Sequence, residues 1–220
     1  MTSNEAVRRT SQPAGTLVWD PLVRSGHWAL VAAFAVAFFS PEEEAGGPGA
    51  WHVWSGYVVG GIVLLRVLWG FVGPRHARFS EFVCKSLKAL VYLRDLLLSR
   101  ARRYVGHSPA GGAMVIALLV CLAATVATGV IAYGEQGKGP LAAALVTDVN
   151  ANGTEARHRA RPEKGGERTE SVIGEWHDLL ADITMALVVV HILGVALASF
   201  VHQENLVLAM ISGRKRRARD

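Results

Sequence analysis

Cysteine is nearly missing from this chain: two residues, Cys84 and Cys121, among 220. One lies in a polar stretch and the other in an apolar one, so no disulfide framework can be built on them. No Cys-x-x-Cys pair occurs. That excludes zinc ribbons, thioredoxin-type dithiols and covalent haem attachment through a CxxCH site. Also missing are the glycine-rich dinucleotide fingerprint, the phosphate-binding P-loop and the HExxH zinc motif, and with them the usual sequence marks of nucleotide chemistry and metalloproteolysis. Charge is scarce over long distances. Gly26 to Phe39 and Gly111 to Tyr133 carry no Asp, Glu, Lys or Arg at all.

What is abundant is apolar sequence in blocks. Hydrophobic residues make up 51% of the chain, and charges crowd between the blocks. The first run spans Leu17 to Ser40 and ends at Pro41 and Glu42-Glu43-Glu44. The second is Trp51 to Val72, closed by Gly73-Pro74; the third is Gly111 to Tyr133; the fourth is Trp176 to Val201. At about 1.5 Å per residue each can cross a hydrocarbon core of about 30 Å. The expected fold is all-α: an integral membrane four-helix bundle over residues 17–212. A polar N-terminal segment (1–16) precedes it and a basic tail (213–220) follows. Arg8-Arg9 faintly resembles a twin-arginine signal, but no apolar run follows closely and no cleavage site is evident, so a cleaved leader is not expected. Segment 75–110 mixes eight Lys/Arg with Phe79, Phe82, Leu87, Leu90, Val91 and Leu97, mostly at helical spacing. That pattern predicts an amphipathic helix in the membrane interface between helices 2 and 3. The 134–175 loop is Gly-rich, with six Lys/Arg and seven Asp/Glu, and its centre is expected to be poorly ordered.

The net charge is +5. The basic residues border apolar runs, so membrane orientation explains them better than nucleic acid does. Sixteen Lys/Arg fall in residues 1–24, the 75–110 segment and the tail, against none in 41–50 and six in the long loop. Both termini should therefore be cytoplasmic, with loops 41–50 and 134–175 outside.

Eight histidines are present, and His27, His52, His177 and His191 belong to the spans, where ionisable groups are costly and usually functional. His177 and His191 are 14 residues apart. On a helix that spacing returns to within about 40° of one face after a rise of about 21 Å. His52 opens helix 2 at the outer edge, level with His177. His27 lies 13 residues before Ser40, about 20 Å in, at the depth of His191. The four thus form two level pairs, His52 with His177 outside and His27 with His191 toward the cytoplasm. Paired imidazoles from two helices are what a six-coordinate haem iron requires on its axes. Arg66, 14 residues after His52, reaches the inner level, where it could hold a propionate by a charge-assisted bond. Each histidine alone could equally be interhelical glue. Zinc or copper would need more ligands than each pair supplies.

Other residues read more quietly. His107, before helix 3, is a helix-start residue in a Pro/Gly turn or a contact to a quinone or inner propionate. His76, His158 and His202 are expected at the surface. Trp28, Trp51, Trp54, Trp69 and Trp176 lie near span ends as interfacial belt residues. Gly56 and Gly60 allow close approach of porphyrin or a neighbouring helix.

Several segments together resemble the bacterial cytochrome b561 family, which includes the b-type cytochrome subunits of nickel-iron hydrogenases. They are Arg24-Ser25-Gly26-His27-Trp28, His52-Val53-Trp54-Ser55-Gly56-Tyr57 and Arg66-Val67-Leu68-Trp69-Gly70-Phe71-Val72-Gly73. Further along come Gly106-His107-Ser108-Pro109, Trp176-His177 and His191-Ile192-Leu193-Gly194. Relatives often carry Asn where Ser108 stands, and the long 134–175 loop departs from the family pattern. The resemblance implies two non-covalent haem b groups held by helices 1, 2 and 4, with His27, His52, His177 and His191 as ligands. It further implies electron transfer between the quinone pool and a redox protein, such as a c-type cytochrome or hydrogenase, in a respiratory chain. No catalytic base or nucleophile is evident, so an electron carrier or oxidoreductase subunit is the reading. Two alternatives stand beside it: a membrane anchor docking such a partner, or a haem-free proton-coupled transporter using Asp182 and the histidines. Membrane lipid and a second copy of the chain complete the partners this reading admits.

Overall fold

The computed structural model describes residues 16–41, 48–74, 77–81, 88–98, 100–102, 104, 107–143 and 171–215. Expectations about residues 1–15, the Glu42–Glu44 cluster, His76, Cys84, His158, the centre of the long loop and the end of the basic tail lie outside the described residues. The described chain is helical apart from one short strand pair. Four helices are long and apolar enough to cross a membrane: α1 (Pro21–Phe39), α2 (Ala50–Val72), α4 (Pro109–Glu135) and α5 (Val172–Val201). Two shorter helices accompany them, α3 (Ala89–Leu97) and α6 (Leu206–Ser212), with a 3₁₀ turn at Phe79–Glu81. Within the 75–110 segment the described α-helix is thus nine residues long. Strand β1 (Thr16–Leu17) pairs antiparallel with β2 (Arg214–Lys215), which ties the two ends of the described chain together.

Helix ends follow local chemistry. Asp20 precedes Pro21 and its carboxylate accepts from the Val23 N–H at 3.0 Å, an N-cap followed by proline at the first helical position. Ser108 before Pro109 does the same for α4, accepting from Gly111 N–H at 3.1 Å. This cap starts α4 two residues before the uncharged run. Ser171 caps α5 through Gly174 N–H at 3.0 Å, and so adds a full turn ahead of Trp176. Asn205 caps α6, which ends at Gly213 with φ +79°.

Contacts divide the chain into two compact units, each taking part of every long helix. The first comprises Met1–Ala29, Leu65–Ile116 and Val189–Asp220; the second comprises Leu30–Leu64 and Ala117–Val188. In the second, α2 and α4 meet where Gly60 leaves room for Val126; a Cβ there would stand 2.9 Å from Val126 Cγ1. Helices α4 and α5 meet at Thr184, fully buried, whose hydroxyl lies 3.3 Å from that of Thr125. In the first unit, the Phe79 ring packs over Gly70. The Tyr92 hydroxyl bonds His202 Nε2 at 3.2 Å. His202 is therefore half-buried rather than a surface residue, because α3 returns to cover it.

The apolar side chains are distributed as a lipid solvent demands. Val31, Val36, Leu64, Leu68, Val120, Val189, Ile192 and Leu193 are all exposed, whereas a water-soluble protein would rarely leave so many apolar groups in view.

Candidate functional site

Two groups of side chains stand out, one in each unit. In the second unit the imidazoles of His52 (α2) and His177 (α5) face each other, ring centres 5.9 Å apart and planes at 78°. Neither ring is held by chance. His52 Nδ1 lies 2.8 Å from the Ala37 carbonyl. That carbonyl is available because the residue four positions on is Pro41, which has no N–H to close the helical bond. Ser40 Oγ supplies a second donor to it at 3.0 Å. His177 Nδ1 lies 2.9 Å from the Thr125 carbonyl and 3.5 Å from Thr128 Oγ1. A carbonyl oxygen can only accept, so in both rings the proton sits on Nδ1. Each Nε2 then keeps its lone pair, the form in which histidine binds a metal.

Two glycines shape the space around this pair. Gly129 of α4 lies against the His177 ring; a Cβ there would be 2.8 Å from Cε1 and 3.0 Å from Nδ1. Gly56, one turn after His52 on α2, has nothing within 4 Å of where its Cβ would be. Among the described residues, no neighbouring helix fills that side.

The first unit holds His27 (α1), His191 (α5), Arg66 (α2) and His107. Among the described residues, three nitrogens here are buried with no hydrogen-bond partner: His27 Nδ1, Arg66 Nη1 and Arg24 Nε. Buried polar atoms are almost always satisfied, so such orphans mark a place where a partner belongs. Arg66 lies over the Phe79 ring at 5.3 Å and is drawn electrostatically toward Asp20. Asp20 also accepts from Trp69 Nε1 at 3.4 Å. His107 stands edge-on to Trp19, ring centres 4.7 Å apart, just before the cap of α4. Arg24 lines an open groove of about 610 Å³ with Pro21, Leu22, Ser25, Trp28 and Ile211.

Outside the spans, Tyr92 packs edge-on to Tyr104 at 5.7 Å. Burial pushes its phenol above the ordinary tyrosine range, partly offset by a hydrogen bond with Ser108.

The rings of His52 and His177 thus meet within the second unit, and His27 and His191 belong together to the first. Among the described residues no cluster of three or more His, Cys, Asp or Glu could hold a metal ion by itself. Sequence reasoning missed Ala37, Pro41, Thr125, Thr128, Gly129 and Arg24. For Pro41 a signal existed: a proline four residues after a helical position always frees that carbonyl. Thr125 offered none, because nothing in its own neighbourhood points to a ring 52 residues away.

No curated protein and no solved structure matches the chain. Residues 18–213 match the family model described as prokaryotic cytochrome b561. With four apolar helices fit to cross a membrane and a match over nearly its whole length, the chain belongs to the prokaryotic cytochrome b561 family, the multi-pass bacterial membrane proteins that bind haem b and carry electrons.

Proposed function

We propose that the chain is a di-haem electron carrier. In this reading His52 and His177 would hold one haem b, and His27 and His191 a second. Electrons pass between the quinone pool and a redox protein in a respiratory chain of the inner membrane, with both termini cytoplasmic. The observation that carries this reading is the His52–His177 pair. Their ring centres lie 5.9 Å apart, a gap that one metal ion held by a nitrogen from each ring at about 2.0 Å would span. Both Nδ1 protons are committed to backbone carbonyls, the outer-shell arrangement that orients a ligating histidine and raises its basicity. The open side at Gly56 offers room for a porphyrin edge.

The first unit fits the same group by its charge. Arg66 and Arg24 carry buried, unpartnered nitrogens, and propionate carboxylates are acceptors of the kind they lack. Haem held by an imidazole from each of two helices would supply one-electron transfer rather than oxygen activation. The chain does the rest. Two imidazoles would hold each haem, the carbonyls of Ala37 and Thr125 orient His52 and His177, and Arg66 and Arg24 would neutralise propionate carboxylates. The apolar helix faces exclude water. His107, beside Trp19, is the residue we assign to a quinone or propionate contact.

Single His→Ala variants test this. H52A and H177A should each retain one haem per chain by pyridine haemochrome assay, and H27A and H191A likewise lose one. Four variants that all kept two haems would remove the assignment.

A further inference from the structure

We infer that Gly129 and the Thr125 carbonyl of α4, a helix that supplies no ligand in the proposed function, are positioning elements for His177. The inference rests on that reading and deepens it by naming what sets the outer ligand's orientation. Three observations converge on one short stretch, Thr125-Val126-Ala127-Thr128-Gly129. First, the only hydrogen-bond acceptor within 3.0 Å of His177 Nδ1 among the described contacts is the Thr125 carbonyl, at 2.9 Å. Second, that ring can reach the carbonyl only because residue 129 has no side chain: a Cβ would stand 2.8 Å from Cε1 and 3.0 Å from Nδ1. Those atoms belong to a planar ring tethered at α5, not to the far end of a flexible chain, so they cannot swing clear without breaking the bond. Third, the Thr128 hydroxyl is turned inward, donating toward the carbonyls of Ala124 at 2.9 Å and Thr125 at 3.0 Å. Its lone pairs therefore face the Nδ1–H at 3.5 Å, a second, weaker acceptor.

The glycine is unexplained otherwise. In the interior of a 27-residue helix it disfavours the helical state relative to alanine. No positive φ requires it, since the positive-φ glycines of the described chain are Gly137, Gly139 and Gly213. What residue 129 does is admit the imidazole. The consequence is electronic as well as steric. An Nδ1–H bonded to a carbonyl makes Nε2 a stronger electron donor, which favours the oxidised iron and lowers the midpoint potential of that site.

The test compares wild type, G129A, H177A and G61A in full-length protein purified with haem in detergent. Gly61 is exposed, on α2, with nothing within 4 Å of its Cβ position, so G61A controls for adding a methyl to a spanning helix. Haem per chain, a redox titration resolving both haems, and the g-values of the low-spin ferric signals are measured. In G129A the potential of one haem should move upward and its g-values should change. That haem should also be lost about 10- to 100-fold more readily, the usual cost of disturbing an outer-shell contact. The other haem should be unaffected, and G61A should match wild type. G129A with both potentials and both ferric signals unchanged, while H177A loses one haem, overturns the inference and leaves the ligand assignment standing. G129A that loses both haems also overturns it, since the effect must be confined to one site. H177A that keeps both haems overturns the ligand assignment instead.

Discussion

Replacing Arg66 with methionine should have very different consequences with and without haem. In the haem-free chain Arg66 has one favourable electrostatic neighbour, Asp20, and one cation–π contact, Phe79 at 5.3 Å. At a half-buried site these are worth about 0.5–1 kcal/mol each. Against them stands the buried, unpartnered Nη1, whose desolvation costs about 1–3 kcal/mol at full burial, less here. The terms nearly cancel, and methionine keeps most of the apolar stem, so R66M should change haem-free stability by within about 1 kcal/mol. With haem bound, the reading gives Arg66 a carboxylate partner, and a hydrogen bond between charged groups contributes about 1.5–3 kcal/mol. The haem dissociation constant of one site should therefore rise roughly 10- to 150-fold. Its midpoint potential should fall by tens of millivolts, since removing a cation favours the ferric state and ~1 kcal/mol corresponds to about 40 mV for one electron. R66K should recover part of both. The assay is thermal unfolding in detergent with and without haem, plus a redox titration. Equal penalties in the two forms would refute the reasoning, because Arg66 would then be serving the fold alone.

Three further expectations follow from packing and charge. G60V forces side-chain atoms into Val126, already 2.9 Å from the Cβ position; overpacking of this kind costs about 1–3 kcal/mol and should appear as a lowered Tm, with G61V as the neutral comparison. G213A places a side chain at φ +79°, 2.8 Å from Arg24 Nη1 and 2.9 Å from the Trp19 carbonyl; a loss of more than about 1 kcal/mol should show as faster proteolysis at the joined chain ends. For Tyr92, the raised phenol pKa means the folded protein holds the proton at a pH where the unfolded chain releases it. Its contribution is therefore complete below about pH 10 and is lost as pH rises through the folded value; the Tm of wild type should fall more steeply than that of Y92F above pH 10.

Four spans, their approximate limits and the four membrane histidines were legible in the sequence. Burial in lipid is a composition-level demand: roughly 20 residues without charge are required wherever the helix points. That His52 and His177 come together was legible too, because rise per residue is constant along a helix. The helix starts at Pro109 and Val172 were less so: they depend on Ser108 and Ser171 as caps, a signal weaker than hydropathy. The short α3, with Tyr92 and Leu96 turned inward, came as a broad amphipathic stretch of 75–110, since alternating basic and apolar residues record the tendency to lie at an interface but not where a helix begins.

What tertiary structure alone decided is orientation. Nothing in the neighbourhood of His177 announces that its ring meets the Thr125 carbonyl, or that Gly129 makes the space for it. Hydropathy and spacing are properties of one helix at a time, and they place an imidazole at a depth. The tautomer, the free lone pair and the unpartnered nitrogens of Arg24, His27 and Arg66 are properties of what lies across from each residue, and only the packing of one helix against another supplies that.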